Sequence, residues 1–271
     1  MRIALSIEHP AWAYQFRHLV ALLRQHGHDV RLLAIDKDHS YALLDAFGYA
    51  YDRIAPTTGV GVVQKGWLFF LTTVRMYWVL RRYRPDVLLG RASPMLAVCA
   101  FFLRIPHILF EDTEHSRFSL FFCQLFSTAI ITPQSFTRDL GPKQIRQPIY
   151  KELFYLHPSV FRPDVAAVAE QGLNPDRPFV LLRFVAWTAS HDFGLQGLSP
   201  QEQLGIVEQL SQVAQVVVSC EGELPQQLTQ YAYRLPVSRM HHLLAHAALY
   251  VGEGATMASE ASVLWRPLSV P

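Results

Sequence analysis

Several features that mark common protein classes are absent from the sequence. Among its 271 residues it has three cysteines, Cys99, Cys123 and Cys220, widely spaced and in apolar or strand-like surroundings. An odd, scattered set of this kind argues against a disulfide framework and predicts reduced cytoplasmic thiols that bind no metal. Charged residues make up only 17% of the chain and the net charge is +2, which is too mild for a nucleic-acid partner.

Long apolar runs are also missing. The two most hydrophobic segments, 66–80 and 118–131, fall short of the roughly 20 apolar residues that a spanning helix needs. The first ten residues lack the apolar core and cleavage site of a signal peptide, and their pattern favours a strand. We therefore predict a cytoplasmic protein whose aromatic segments form buried helices. The alternative is peripheral contact with the inner face of the membrane.

Two phosphate-binding signatures are absent as well. The first strand is followed by Glu8-His9-Pro10, where a dinucleotide site would need G-x-G-x-x-G, and G-x-x-x-x-G-K-[ST] occurs nowhere. The sequence thus disfavours NAD and P-loop chemistry, and we predict no bound cofactor. His9 has two readings, a base facing a cleft or a turn residue bonded to its own backbone.

What the sequence does have is a regular alternation of strand and helix patterns. Residues 1–150 contain β-branched or apolar runs separated by segments with apolar residues at helical spacing. The predicted strands are 2–7, 29–35, 87–89, 106–110 and 128–132; the predicted helices are 12–25, 41–47, 62–83, 94–103 and 116–126. This alternation predicts right-handed βαβ units and a doubly wound parallel sheet.

A proline-dense connection, 151–177, precedes a second alternating region, 178–271. Its predicted strands are 179–184, 213–219, 233–235 and 248–251; its predicted helices are 200–210, 225–231, 238–247 and 256–264. We therefore predict an α/β protein of two Rossmann-like domains facing a cleft. The second domain is short for its type, and we expect it to be incomplete at its C-terminus.

In the first domain, the strand ending at Phe110 runs into the acidic segment Glu111-Asp112-Thr113-Glu114-His115. Like charges this close predict a raised pKa or a cationic neighbour for Glu111 or Asp112, and either would suit acid/base catalysis or binding of a hydroxylated ligand. The alternative is a solvated loop in which Asp112 or Thr113 caps the next helix.

In the second domain, the strand 179–184 leads into a loop with several types of polar side chain: Arg183, Thr188, Ser190, His191 and Asp192. Such a loop can hold a diphosphate, with His191 polarised by Asp192, or it can be an ordinary loop in which Asp192 caps a helix. Glu221 follows the next strand and is a candidate for the same cleft.

The last patterned segment, 249–261, passes from a strand through small residues into a helix. Its backbone N–H groups and the hydroxyl of Thr256 suit a phosphate, with Gly254 and Met257 beside it. Glu260, about a turn further on, suits the diol of a ribose. The alternative is a capping box at Thr256. His242 and His246 lie one turn apart on the preceding helix, but no third ligand is evident and we predict no metal site.

Together these segments resemble the bacterial and archaeal family catalogued as domain of unknown function 354, over essentially the whole chain. The resemblance is carried by His9-Pro10, Arg84-Pro85-Asp86, Tyr150-Lys151-Glu152-Leu153, Arg183-Phe184, Trp187-Thr188-Ala189-Ser190-His191-Asp192 and Gly252-Glu253-Gly254-Ala255-Thr256-Met257 with Glu260. Members of that family are similar to two-Rossmann-domain (GT-B type) glycosyltransferases and to UDP-N-acetylglucosamine 2-epimerases.

The resemblance implies a nucleotide-sugar substrate, with Thr256 contacting its diphosphate and Glu260 its ribose. Glu111 matches a strand-end carboxylate of the epimerases, and His191 resembles the histidine of their second domain. Arg91, however, stands where the epimerases place an aspartate, and the helix at 116–126 offers no second glutamate. The partial match favours a transferase over an epimerase.

The resulting hypothesis is a transferase of hexosyl or N-acetylhexosaminyl groups in cell-surface polysaccharide or glycolipid synthesis. The second domain would hold the nucleotide sugar, and the first would present a saccharide or a lipid-linked acceptor. The base would be His9, Glu111 or Asp112, with His191 as a further catalytic candidate. The alternatives are an epimerase-like isomerase and a truncated, inactive chain that binds only a ligand or a partner.

Overall fold

The computed structural model of the protein describes residues 1–36, 40–56, 62–185 and 197–264. The chain divides into two units, Met1–Tyr155 and Leu156–Pro271. Each unit contains a parallel sheet with helices in the crossovers between its strands. The predicted α/β class with two Rossmann-like domains is therefore confirmed.

The first unit has a seven-stranded sheet in which all neighbouring strands are parallel, in the order β3-β2-β1-β4-β5-β6-β7. The strands are β1 (Arg2–Ile7), β2 (Asp29–Asp36), β3 (Tyr51–Pro56), β4 (Val87–Gly90), β5 (His107–Phe110), β6 (Ala129–Pro133) and β7 (Gln144–Gln147). Strands β2 and β3 follow β1 toward one edge of the sheet, and strands β4 to β7 continue from β1 toward the other edge. The gap between β1 and β4 is thus the topological switch point, where sheets of this type bind ligands.

The helices of the first unit are α1 (Pro10–Gln25), α2 (Ser40–Ala46), α3 (Val62–Tyr83), α4 (Pro94–Leu103) and α5 (Arg117–Phe126); the short helix α6 (Leu153–Leu156) spans the division between the units. Met76 and Leu80 of α3 pack with Leu96 of α4 over Ala4 and Leu88 of the central strands. Leu120 and Cys123 bury one side of α5 in a neighbouring cluster. These side chains recur every three or four residues, so one stripe of each helix faces the sheet.

Two strands of this sheet, β3 and β7, were not predicted from the sequence. Both lie at the edges of the sheet. Each has few apolar residues: β3 buries Ile54 and Ala55, and β7 contains only Ile145, which is exposed. Because an edge strand contacts the core on fewer sides, its sequence need not carry the apolar run that marks a central strand.

The second unit has a three-stranded parallel sheet in the order β10-β8-β9. Its strands are β8 (Phe179–Phe184), β9 (Gln215–Cys220) and β10 (Leu249–Gly252), and its α-helices are α7 (Ala166–Glu170), α8 (Pro200–Ser211), α9 (Met240–Leu244) and α10 (Ala255–Leu264). Ser199 and Glu202 form a capping box at the start of α8. This capping box sets the residue at which α8, the helix before β9, begins.

The predictions for residues 225–247 need correction. The predicted strand 233–235 is absent, and only a single bridge between Val218 and Ala232 approaches it. The predicted helix 225–231 is a 3-10 helix, and the predicted helix 238–247 is a short 3-10 turn followed by α9. Pro225 and Pro236, which precede these turns, restrict the backbone and break the helical pattern into short pieces.

The aromatic segments were predicted to be buried, and that prediction is wrong for their outer sides. Trp67 and Trp78 of α3 are 62% and 53% exposed, and Phe118 of α5 is 63% exposed. No helix within the described ranges is both long and apolar enough to cross a membrane. All three cysteines are free thiols, and Cys99 and Cys123 are buried.

Candidate functional site

Arg91 is the centre of a buried polar cluster at the switch point of the first unit. It follows β4, and 5% of it is exposed. Its Nη1 donates to Gln15 Oε1 of α1 at 3.0 Å, and its Nη2 donates to Glu111 Oε1 after β5 at 2.5 Å. Nη2 also contacts the carboxylate of Asp112. One guanidinium thus connects α1 with the carboxyl ends of β4 and β5.

Glu111 is fully engaged by donors within this cluster. Besides Arg91, its oxygens accept the backbone N–H groups of Ala92 at 3.1 Å, Asp112 at 3.0 Å and Thr113 at 2.8 Å. Only 3% of the residue is exposed. With these four donors, the Glu111 carboxylate connects the loop after β5 to the loop after β4.

Asp112 has the cationic neighbours that the sequence led us to expect. It lies between Arg91 and Lys151, whose Nζ is 2.8 Å from Asp112 Oδ2. Burial acts to raise the pKa of Asp112, but the two cations outweigh burial and the pKa is lowered. The predicted helix-capping role is not seen, because the residue at the cap position of α5 is Ser116. Asp112 is therefore an ion-pair partner.

Three buried polar atoms in or next to this cluster have no hydrogen-bond partner among the described residues. Among the described residues, Arg91 Nε, Gln15 Nε2 and Ser6 Oγ are buried and accept or donate no hydrogen bond. Gly90 leaves room for Ser6, since a Cβ at that position would lie 2.9 Å from Ser6 Oγ. Buried polar atoms are nearly always satisfied, so donors of this kind at a switch point mark a place where a ligand oxygen can bind.

His9 occupies the N-cap of α1. Its Nδ1 accepts the backbone N–H of Ala11 at 3.2 Å, and Pro10 stands at the first helical position. This is the turn interaction with its own backbone that the sequence offered as one of two readings. The hydrogen bond satisfies a donor at the start of α1, which begins directly after the central strand β1.

In the second unit, three residues form a row across the carboxyl edge of the sheet. Gly252 of β10 pairs with Arg183 of β8, which pairs with Ser219 of β9. Arg183 Nη1 donates to Ser219 Oγ at 2.5 Å, and Arg183 Nη2 lies 2.8 Å from Glu221 Oε1. Arg183 and Glu221, both predicted site residues, are thus brought together, with the guanidinium aimed along the edge toward β9.

Gly252 is required by the close approach of two neighbours. A Cβ there would overlap the hydroxyl of Tyr250 and lie 3.1 Å from the Cβ of Arg183. The Tyr250 hydroxyl is buried and has no hydrogen-bond partner within the described part of the chain. Burial raises the pKa of Tyr250 to about 12, with Arg183 lowering it and Glu260 and Glu221 raising it. The Tyr250 hydroxyl therefore stays protonated near neutral pH and can donate a hydrogen bond.

Glu253, which was not among the predicted site residues, binds one residue on each side of the stretch 186–196, which lies outside the described residues. Its Oε2 accepts the N–H of Val185 at 2.9 Å, and its Oε1 accepts the N–H of Leu198 at 2.8 Å. A cavity of about 460 Å³ lies here, lined by Arg183, Gly197, Leu198, Glu202, Gly252 and Glu253, among others. The predicted site residues Thr188, Ser190 and His191 lie between the two bonded positions, outside the described residues.

Helix α10 begins at Ala255, so Gly254 immediately precedes it and Thr256 lies in its first turn, as the sequence predicted. Thr256 is exposed and Met257 is half-buried. The first N–H groups of a helix have no partner within it, and its dipole is positive at this end. The start of α10 therefore presents donors beside the strand residue that pairs with Arg183.

Glu260 points to a neighbouring helix. It is 6% exposed, and its Oε1 is 3.1 Å from Nε2 of His241 on α9, which is itself buried. His242 Nδ1 accepts the N–H of Asp164 at 3.1 Å. Within the described ranges, no cluster of three or more potential metal-ligating side chains is found.

No protein-family model and no curated protein matches the sequence of the chain, so the resemblance to family 354 is not confirmed. Solved structures do match its fold. The UDP-GlcNAc 2-epimerase of Methanocaldococcus jannaschii has 12% identity and a TM-score of 0.67, covering 97% of this chain and 82% of that one. The corresponding epimerase of Neisseria meningitidis bound to UDP-GlcNAc has the same identity and TM-score, with 97% and 80% covered.

A glycosyltransferase, SsfS6 of Streptomyces sp. SF2575, is also similar in fold. It has 15% identity and a TM-score of 0.56, covering 96% of this chain and 78% of the other. These likenesses therefore define a GT-B-like fold with two Rossmann-type units. At such low identity the likeness establishes the fold, and the chemistry has to be argued from the residues of this chain.

Proposed function

We propose that the protein is a nucleotide-sugar-dependent glycosyltransferase that transfers a hexosyl or N-acetylhexosaminyl group. The observation that carries this proposal is the carboxyl edge of the second sheet. There Arg183 of β8 pairs with Gly252, the last residue of β10, and helix α10 begins shortly after it, at Ala255. The guanidinium, on the β9 side of β8, and the helix start, after β10, lie at the same carboxyl edge and are donors of the kind that a diphosphate needs.

In this proposal the diphosphate contacts the N–H groups of Thr256 and Met257, the Thr256 hydroxyl and the Arg183 guanidinium. Gly254, without a side chain, leaves the helix start accessible. Binding of the ribose by Glu260 would require its carboxylate, which is 6% exposed and paired with His241 at 3.1 Å, to turn toward the ligand. Glu221 keeps Arg183 oriented, and we assign Thr188, Ser190 and His191, which lie outside the described residues, to the same donor site.

The first unit would receive the acceptor. Arg91 Nε and Gln15 Nε2 are buried donors without a partner among the described residues, and they suit hydroxyl or acidic oxygens. Of the predicted bases, Glu111 is held by four donors and Asp112 has a lowered pKa. They serve chiefly to position Arg91, which leaves His9 and His191 as the candidates for proton transfer.

The same cluster favours a transferase over an epimerase. Proton exchange at a sugar carbon needs a base with an oxygen or nitrogen lone pair that can take the proton. Glu111, the carboxylate that matches the epimerases, is tied to Arg91 and to three backbone N–H groups. A saccharide or lipid-linked acceptor and a role in cell-surface polysaccharide or glycolipid synthesis belong to this proposal, as does a cytoplasmic location.

Calorimetric titration with UDP, GDP and their sugars tests the proposal. We expect one of these ligands to bind, and we expect Arg183→Ala to weaken its binding about tenfold or more, as for loss of a charge-assisted contact. Arg177→Ala, an exposed arginine before β8, is the matched control and should bind normally. Failure of every nucleotide sugar to bind the wild-type chain would overturn the proposal. Release of the 2-epimer from UDP-N-acetylglucosamine without an acceptor would instead establish the epimerase.

A further inference from the structure

Three helices of the first unit expose large apolar side chains on their outer sides. The most prominent are Trp67, Phe70, Trp78, Phe102, Phe118 and Phe121, each between 53% and 68% exposed. We refer to the outer surface of α3, α4 and α5 as the aromatic face. Scattered apolar residues on a surface are ordinary, but six large side chains on three adjacent helices are not.

Ring contacts connect the helices of the aromatic face. The ring of Phe69 on α3 lies 6.4 Å from that of Phe118 on α5, and Phe101 on α4 lies 4.9 Å from Phe126 on α5. Along α5, Phe118 and Phe122 are 5.0 Å apart. The aromatic rings are therefore continuous from one helix to the next and form one surface.

Helix α3 has large aromatic side chains on the outer side, where an ordinary surface helix is mainly polar. Its inner stripe, with Thr72, Met76 and Leu80, is buried against the sheet. The outer side, where polar residues are usual, carries Trp67 and Trp78 at a multiple of the helical period. The helix thus has two apolar sides, and the sheet accounts for only one of them.

The charge of the aromatic face is entirely positive. Helices α3, α4 and α5 contain no Asp or Glu, and the four arginines within them, Arg75, Arg81, Arg82 and Arg117, are all exposed. The guanidinium of Arg81 lies 5.9 Å from the ring centre of Trp78. Aromatic side chains combined with unopposed arginines fit a lipid headgroup layer that carries negative charge. A second copy of the chain would place one basic face against another, which opposes self-association.

We propose that the aromatic face docks the protein on the surface of an anionic lipid bilayer. The Phe and Trp side chains enter the boundary between headgroups and acyl chains, while Arg81, Arg82 and their basic neighbours contact lipid phosphates. The sequence predicted buried helices at 66–80 and 118–131, with peripheral membrane contact as the alternative, and the structure combines the exposed sides of both segments with α4 into one surface. The proposal does not rest on sugar transfer, because docking needs neither donor nor acceptor.

Flotation of the full chain with vesicles tests the docking surface. We expect binding to vesicles of phosphatidylcholine with about one third phosphatidylglycerol, and little binding to phosphatidylcholine alone. Arg81→Gln with Arg82→Gln should lower partitioning roughly 30-fold, since each basic residue contributes about a fivefold effect near an anionic surface. Phe102→Ser with Phe118→Ser should abolish flotation. All four side chains are exposed, so the variants should fold.

Matched controls lie outside the aromatic face. Leu22→Ser removes an apolar side chain of α1 that is 51% exposed, and Arg162→Gln removes an exposed charge of the second unit. Both should float like the wild type. Equal losses in the controls, equal binding to uncharged vesicles, or no flotation at all would overturn the proposal. So would a dimer in light scattering that the Phe variants convert to monomer, because the partner would then be a second copy. Nucleotide-sugar titration of the same variants reports separately on the proposed function.

Discussion

At the scale of single residues, Arg91 is the side chain on which most of the first unit's polar cluster depends. It is nearly inaccessible and contacts Gln15, Glu111 and Asp112. Burial acts to lower the pKa of Arg91, and the two carboxylates outweigh burial and raise it. A guanidinium paired in this way stays charged, and its removal would leave Glu111 buried without its counter-ion.

We therefore expect Arg91→Ala to lower the free energy of unfolding by about 3–5 kcal/mol, the usual range for breaking a buried ion pair. Arg91→Lys should recover only part of this loss, because an ammonium cannot reach both Gln15 and Glu111 in the same geometry. The matched control is Arg31→Ala, which breaks a partly exposed pair with Asp52 and should cost about 1 kcal/mol or less. Urea denaturation followed by circular dichroism measures all three. Equal effects of the two alanine variants would contradict the role of Arg91.

Sequence reasoning identified many site residues by type but not their partners. The pattern placed Glu111 and Asp112 at a strand end, and this is where they lie. It did not connect them with Gln15 or Lys151, because those residues are about 40 to about 100 positions away in the chain. Lys151 was part of a segment noted for its resemblance to a family, yet its contact with Asp112 could be seen only after folding.

At the scale of elements, β10 and the start of α10 show how a strand prepares a binding edge. Gly252 ends the strand, and the Tyr250 hydroxyl occupies the space that a side chain at position 252 would need. Gly254, two residues later, has more room: a Cβ there would lie 3.6 Å from Val185, which is an ordinary contact. The two glycines, similar in sequence, thus have different structural roles.

This difference gives a prediction for the element. Gly252→Ala should lower the free energy of unfolding by about 1–3 kcal/mol, as overpacking usually does. Gly254→Ala should change it by less than about 1 kcal/mol. Adding Tyr250→Leu to Gly252→Ala should restore part of the loss, because the shorter side chain vacates the overlap. Thermal denaturation of the wild type, Gly252→Ala, Tyr250→Leu and the double variant gives the coupling between the two positions, and a coupling of zero would refute the steric explanation.

The elements themselves were predicted well where the pattern was strong. The predicted bounds of α3 and α4 agree with the structure, as do those of β1 and β8. The edge strands β3 and β7 were missed, since residues at an edge need not be apolar. The region 225–247 was overextended into a strand and long helices, because local apolar spacing does not reveal 3-10 turns after proline.

At the scale of the whole molecule, the cysteines report on folding. Burial raises the pKa of both Cys99 and Cys123 to about 12, so neither forms a thiolate near neutral pH in the folded protein. Cys220, at the end of β9, is only half-buried. The three thiols of the chain therefore fall into two classes of accessibility.

We expect one thiol per chain to react rapidly with Ellman's reagent at pH 8, and the other two only as fast as the first unit opens. Cys220→Ser should remove the fast phase and leave the slow one unchanged. Urea should accelerate the slow phase toward the rate of a free thiol, since unfolding removes the burial that suppresses the thiolate. The absorbance of the coloured thiolate that the reagent releases measures both phases. Rapid reaction of two or three thiols in the native protein would contradict this assignment.

By itself the sequence determined the alternation of strands and helices, and with it the parallel sheets. A parallel sheet is covered by helices on both faces, so its strands are apolar throughout and its helices carry apolar residues at helical spacing. It also placed polar residues at strand ends. Only the tertiary structure decided which of these residues meet: Arg91 with Glu111, and Glu260 with His241. It likewise decided that Trp67 and Phe118 lie outside the core. Composition and period are local properties, whereas partners and exposure depend on which distant segments pack together.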